Sequence, residues 1–251
     1  AGVAIATVIS QIISVFLVMR CLLRFDGWAK ISLRQIRLYR SESVQMMQIG
    51  LPAGLQSMLF NISNVMVQSA VNSFGADVVA ANTASGNIGN FTYTAQNSVY
   101  HAAITSQNLG ARRYDRIDRI FWGSCAAVCI IGVPLSLLST VFGPQLLGIY
   151  IARSDPAYDA IIQNGVIRNY YVIAPYILCG LMDTTCGMVR GLGRAWLPML
   201  VSLTGACLLR IVWIWTLFRW THTLEMLYIS YPISWIVTAA VHAVCYFVIW
   251  K

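Results

Sequence analysis

Charge is what this sequence has least of. Nine acidic and 17 basic residues make up only 10% of its 251 positions, whereas a soluble domain carries about a quarter. A surface that faces water needs more than this, so a soluble globule is excluded and lipid becomes the expected solvent. The signatures of catalysis are missing as well. There is no GxSxG, no HExxH, no phosphate-binding loop and no pair of carboxylates within one apolar run, so nothing points to an enzyme. The net charge of +8 raises the question of nucleic acid. The basic clusters lack interleaved aromatics and lie beside hydrophobic segments, which argues against it. The seven cysteines contain no CxxC. Cys125 and Cys129 are four apart and Cys179 and Cys186 seven apart, which puts each pair on one helical face as small buried hydrophobes rather than metal ligands. No metal and no cofactor are expected.

What the sequence does have is hydrophobic length. Apolar residues are 58% of the chain and its mean hydropathy is +0.66. They come in long runs, and a helix that crosses a bilayer needs roughly 20 such residues. Seven spans meet that length, near 1–23, 45–72, 80–107, 120–150, 165–189, 196–218 and 226–250, so the expected class is an all-α integral membrane protein. The chain opens Ala1-Gly2-Val3-Ala4 inside a hydrophobic run with neither an initiator Met nor a basic leader, as expected for a fragment of a longer sequence. The segment 24–43 is the longest polar connection. Trp28, Ile31, Ile36 and Leu38 among Lys30, Arg34, Arg37 and Arg40 predict an interfacial helix on the headgroups, in contact with membrane lipid. Three parts follow: a leading span over 1–23, a basic linker over 24–43, and six spans over 44–251.

The basic residues also orient the chain. With seven antiparallel spans, 13 of them fall on one side, in 20–40, 112–119, 190–194 and at Lys251, and only Arg153, Arg168 and Arg219 on the other. That asymmetry makes the basic side, with the carboxy terminus, cytoplasmic. Short turns join the later spans. Gly110 suits a helix C-terminal cap, while Asp155 and Pro156 suit an N-cap and the first helical position.

Two spans are unusually polar. Asn61, Asn64, Gln68 and Asn72 recur at steps of three and four, as do Thr83, Asn87, Asn90, Thr94, Asn97, His101, Thr105 and Asn108. Each set forms one helical stripe. An unpaired amide facing lipid costs several kcal/mol, so these faces meet protein or water. Amide contacts between helices contribute about 0.6 kcal/mol each, and a stripe this long exceeds what packing requires. A water-filled cavity is the expectation, with helix-to-helix glue as the alternative. Asp183 is the acidic residue deep within a span, about 10 Å below Arg190 at 1.5 Å per residue. A carboxylate there serves either as a cation or proton site, or as the partner of a cation such as Arg210. Arg210 is read as part of a structural ion pair, with a substrate contact as the alternative; His101 is a stripe member, structural or a proton relay, and His242 stands alone.

Certain segments carry a family likeness. Ala4-Ile5-Ala6-Thr7-Val8-Ile9-Ser10-Gln11 opens the first span and Ile49-Gly50-Leu51-Pro52-Ala53-Gly54-Leu55-Gln56 the second; Gln107-Asn108-Leu109-Gly110-Ala111-Arg112 and the run from Val189 to Met199 form loops. In this order and spacing they resemble the bacterial form of the multidrug and toxic compound extrusion (MATE) family. The resemblance implies a two-lobed antiporter. This chain would supply the last helix of the amino-terminal lobe, the linker and the six-helix carboxy-terminal lobe, with the amino-terminal lobe as its partner. It implies export of small, cationic, drug-like molecules in exchange for H+ or Na+ by alternating access, in a bacterial inner membrane. Some members carry a glutamate where Phe60 and Asn61 stand here, and some place an acid where Cys179 stands, which makes Asp183 a shifted equivalent. The coupling site is therefore expected at Asp183, and the cavity lining at Gln56, Asn61, Asn64, Gln68, Asn87, Asn90, Asn97 and His101. A flippase for lipid-linked saccharides, of a related fold, and a non-transporting membrane scaffold are the alternatives.

Overall fold

The structure, a computed structural model, describes residues 2–24, 37–98 and 102–250. Among the described residues every regular element is helical. The chain forms two compact units, 1–47 and 48–251. The first holds α1 (Gly2–Arg24), whose apolar residues, Ile9, Ile12 and Phe16 among them, are exposed around the helix. Residues 25–36 of the expected interfacial helix lie outside the described residues. The described end of that linker is unwound over 37–39, and Arg40 already begins α2 (Arg40–Asn72), whose residues 48–72 belong to the second unit.

The second unit continues with α3 (Ala76–Asn97), α4 (Ala102–Gly110), α5 (Ile117–Val141), α6 (Gly143–Leu147), α7 (Tyr158–Arg168) and α8 (Tyr176–Gly191). The next stretch runs as α9 (Trp196–Ser202), α10 (Leu209–Trp213) and α11 (Arg219–Thr221), and α12 (Leu224–Trp250) closes the unit. Wide π turns over Asn169–Ile173, Leu203–Leu208 and Ile214–Phe218 interrupt these last segments. Each π turn inserts a residue into the helical phase and so re-aims the side chains beyond it.

Among the described residues, five stretches are long and apolar enough to cross a membrane: Ile5–Arg24, Tyr114–Val141, Tyr158–Gly191, Trp196–Thr221 and Leu224–Trp250. The sequence predicts seven spans, and the difference lies in α2 and α3. Their Asn and Gln stripes dilute the apolar content below that of a lipid-facing helix, so length alone marks them. The expected span over 80–107 is also divided, since α3 ends at Asn97 and α4 starts at Ala102.

Helix α8 is the centre of the unit, packed against α12, α5, α4 and α3. Small residues make this possible. Gly180 lies so close to α5 that an added Cβ would sit 2.6 Å from Val128 Cγ1, and Thr184, Thr185 and Gly187 are further small residues buried along α8. Close approach of this kind drives helix association in lipid, where burial of apolar surface contributes nothing. Around α8 lie one cluster built on Val71, Val172, Leu227 and Tyr228 and a second on Ile117, Phe121, Met188 and Tyr246.

Two local expectations are corrected. Gly110 ends α4, but the left-handed position is Arg112, with φ 55°; closure by Arg113 N donating to Asn108 O at 2.9 Å forces the positive φ two residues later. Asp155 does not cap a helix begun by Pro156. Its carboxylate accepts Ala157 N at 2.9 Å, forming a turn, and α7 starts at Tyr158.

Candidate functional site

Heptad-like spacing on four helices converges on one cavity of about 580 Å³, within the range of small-molecule sites. From α2 come Ala53, Gln56, Ser57, Phe60, Asn61 and Asn64; from α3, Asn90, Tyr93 and Asn97. Helix α8 contributes Tyr176, Cys179, Met182, Asp183, Cys186 and Arg190, and Arg210 of α10 with Tyr231 and Trp235 of α12 completes the wall. On each long helix the lining residues recur at three and four, in places with an adjacent residue beside them, the mark of a single face. Pro52, buried within α2, lacks the N–H that would bond one turn back, and so loosens the helix at the start of this face.

Asp183 is half-buried among the cavity residues, with Tyr93 and Asn97 of α3 near its carboxylate and Arg190 as the cation acting on it. Arg190, two turns further along α8, donates from Nη2 to Gln56 Oε1 at 2.5 Å. Gln56 Nε2 in turn donates to Ser202 Oγ at 2.9 Å, and Ser202 Oγ lies 3.2 Å from His242 Nε2. Arg190, Gln56, Ser202 and His242 thus form a polar chain from the cavity into the packed interior, where His242 is fully buried.

Arg210 corrects its sequence reading as half of an ion pair. It is 3% exposed, its Nε donates to Ser234 Oγ at 2.8 Å, and its guanidinium lies over the rings of Tyr231 at 4.3 Å and Trp235 at 5.8 Å. Among the described residues its partners are a hydroxyl and two aromatic faces, and the cation near Asp183 is Arg190 instead.

The expected lining residues separate into groups. Gln56, Asn61, Asn64, Asn90 and Asn97 lie on the cavity with Asp183. Gln68 is outside that lining: its Nε2 donates to Asn72 Oδ1 at 2.9 Å and its Oε1 accepts Asn82 Nδ2 at 2.9 Å, while Asn82 accepts the Tyr228 hydroxyl at 3.3 Å. That set joins α2, α3 and α12, so here the amides act as glue. Asn87 is exposed and is not among the lining residues. His101 lies outside the described residues.

Sequence reasoning missed Arg190, Tyr93 and the aromatic wall. Arg190 reads as a loop cation because it stands at the end of a span. Its helical spacing from Cys179, Asp183 and Cys186 was the available signal. Also missed was the relay through Ser202 to His242, whose members are distant in sequence. A second buried polar cluster, distinct from the cavity, escaped notice too. In it Arg168 Nη1 donates to Ser85 Oγ at 2.7 Å and Ser85 Oγ to Asn169 Oδ1 at 2.6 Å, which holds the π turn after α7 against α3.

Comparison with known proteins agrees with this architecture. A MOP superfamily transporter from Pyrococcus furiosus superposes with a TM-score of 0.85 at 16% identity, over 99% of this chain and 56% of that one. The Vibrio cholerae MATE transporter VcmN in its bent form gives a TM-score of 0.77 at 19% identity over 99% of this chain and 56% of that one. A MATE in the straight conformation gives 0.82 at 17% identity, with 99% and 56% covered. Among curated proteins, Probable multidrug resistance protein YoeA of Bacillus subtilis (strain 168) is 25% identical over 261 residues, all of this chain and 54% of its own length. The chain therefore spans about half the length of the relatives it matches. The MatE family profile matches residues 52–216, from the proline of α2 to the last π turn and across all the cavity-forming helices except α12, and on that ground the chain belongs to the MatE family.

Proposed function

We propose that the chain is the carboxy-terminal part of a secondary antiporter that exports small organic molecules in exchange for H+ or Na+ by alternating access. The observation that carries this reading is a carboxylate, Asp183, on the wall of a cavity that it shares with the amides of α2 and α3 and the guanidinium groups of Arg190 and Arg210. A charged group at membrane depth is costly and marks an ion or substrate path. Asp183 is the coupling site in this scheme, with Tyr93 and Asn97 as its polar neighbours. Carboxylate, amide and carbonyl oxygens also suit Na+, a hard cation. Gln56, Asn61, Asn64, Asn90 and Asn97 keep the cavity wet, while Phe60, Tyr176, Tyr231 and Trp235 supply the apolar contact that an amphipathic substrate needs. The basic linker and the Arg112–Arg119 loop support a cytoplasmic carboxy terminus in a bacterial inner membrane. A second lobe of the same protein would close the cavity.

The test is ethidium and fluorescein efflux by the intact transporter, wild type against Asp183→Asn, under imposed H+ and Na+ gradients. Gradient-driven efflux in the wild type that disappears in the variant is expected. Unchanged coupled efflux in Asp183→Asn would remove Asp183 from the coupling role.

A further inference from the structure

The described charges on the cavity wall are Asp183, Arg190 and Arg210, two cations against one anion. Arg190 already acts on Asp183 and bonds Gln56. The surplus cation is Arg210, and an arginine does not shed its proton in a protein. It is buried to 3% exposure, and among the described residues no carboxylate pairs with it. Its Nε is taken by Ser234, and Ser234 Oγ donates onward to Tyr231 O at 2.7 Å, so the guanidinium is held in one orientation. The stacking of Tyr231 and Trp235 offsets part of the cost of burying the charge, but an aromatic face is not a counterion. What remains is a fixed cation whose two Nη groups are available to a planar anion, in a cavity walled by aromatic rings. That donor geometry matches a carboxylate.

We propose that Arg210, oriented by Ser234 and stacked on Tyr231 and Trp235, is a binding site for the carboxylate of an aromatic organic anion. This inference rests on the reading of the chain as an exporter and departs from it in substrate charge, since the family resemblance implies cations. The ring system of the ligand packs against Tyr176 and Trp235, which lie 5.3 Å apart between centroids, and its carboxylate meets the Nη edge. Asp183, on the α8 wall, stays free for the coupling ion, so substrate and ion would occupy separate charges of the same cavity.

The experiment is competition by 1-naphthoate and by its uncharged counterpart 1-naphthamide against fluorescein and ethidium efflux by the intact transporter in proteoliposomes. A charge-assisted hydrogen bond discriminates by about ten- to a hundredfold. Naphthoate is therefore expected to compete at concentrations lower by that factor. Arg210→Gln should abolish the preference, and Arg210→Lys should retain part of it. Equal competition by acid and amide in the wild type overturns the proposal while leaving the export reading intact, as does a preference that survives in Arg210→Gln. If neither dye moves under either gradient, the export reading itself fails and this inference falls with it. The wild-type comparison decides alone should Arg210→Gln not fold.

Discussion

Replacing Gly205 by alanine tests the packing that holds the cationic wall in place. Gly205 lies in the π turn Leu203–Leu208, and a Cβ added there would sit 2.4 Å from Thr238 Oγ1, 3.2 Å from its Cβ and 3.3 Å from its Cα. Thr238 is fully buried, β-branched and stiff at χ1. Its hydroxyl donates to Ser234 O at 2.6 Å, so swinging it aside forfeits a bond contributing about 1 kcal/mol. The backbone contact leaves separation of α12 from the π turn as the other way out. Overpacking of this kind costs about 1–3 kcal/mol, opposed by a gain of roughly 1 kcal/mol from Gly to Ala in a helix. Adding the displaced hydroxyl, the net destabilisation should be about 1–3 kcal/mol, a fall in Tm of roughly 2–4 °C for each of these. Thermal unfolding of the purified protein in detergent measures it. Gly123→Ala is the control: an added Cβ meets nothing within 4 Å, and stability should hold or rise. The double variant Gly205→Ala with Thr238→Ala should recover at least half of the loss, since the shortest contact disappears. A Tm equal to wild type in Gly205→Ala, or strictly additive effects in the double variant, refutes the argument. Because Arg210 follows Gly205 by five residues and Ser234 precedes Thr238 by four, the wedge should also weaken the Arg210–Ser234 bond.

Other consequences are testable with the same preparation. Gln96 is 3% exposed, and both its amide atoms are buried without a hydrogen-bond partner, between Gly132 and Gly180; Gln96→Met should be neutral or raise stability by up to about 2 kcal/mol, and a clear loss of Tm would show that the amide has a partner after all. Ser202→Ala interrupts the chain from Gln56 to His242 and should cost about 1–3 kcal/mol, read as a lower Tm; an unchanged Tm would show that the chain contributes nothing to stability. Single cysteines at Asn61, Asn64, Asn90 and Asn97 should react with a water-soluble thiol reagent in the intact transporter, while one at Val133, exposed on α5, should not. Failure of all four cavity positions to label would favour a sealed interface over a wet cavity.

The membrane class, the all-helical architecture and the family were written in the sequence, because each rests on local quantities. Scarce charge, runs longer than a soluble helix needs and Gly-Pro segments in a set order all survive without knowledge of which helices touch. Polar stripes on α2 and α3 were visible for the same reason, since a period of three and four needs no tertiary information. Which amides line the cavity was not visible. Asn61 and Gln68 read alike along the chain, yet one faces the cavity and the other is tied to Asn72 and Asn82, because that choice depends on where α3 and α12 pass. The partner of a buried charge is likewise a question of distance between helices. The sequence by itself determined that Arg210 and Asp183 lie within apolar segments. Only the tertiary structure decided that they do not pair, that Arg190 two turns along α8 acts on the acid, and that Ser234, Tyr231 and Trp235 hold the arginine. A charge at membrane depth must be compensated, but helical periodicity carries no record of which neighbour compensates it, and the π turns before α8 and α10 rotate both side chains away from where an unbroken helix would aim them.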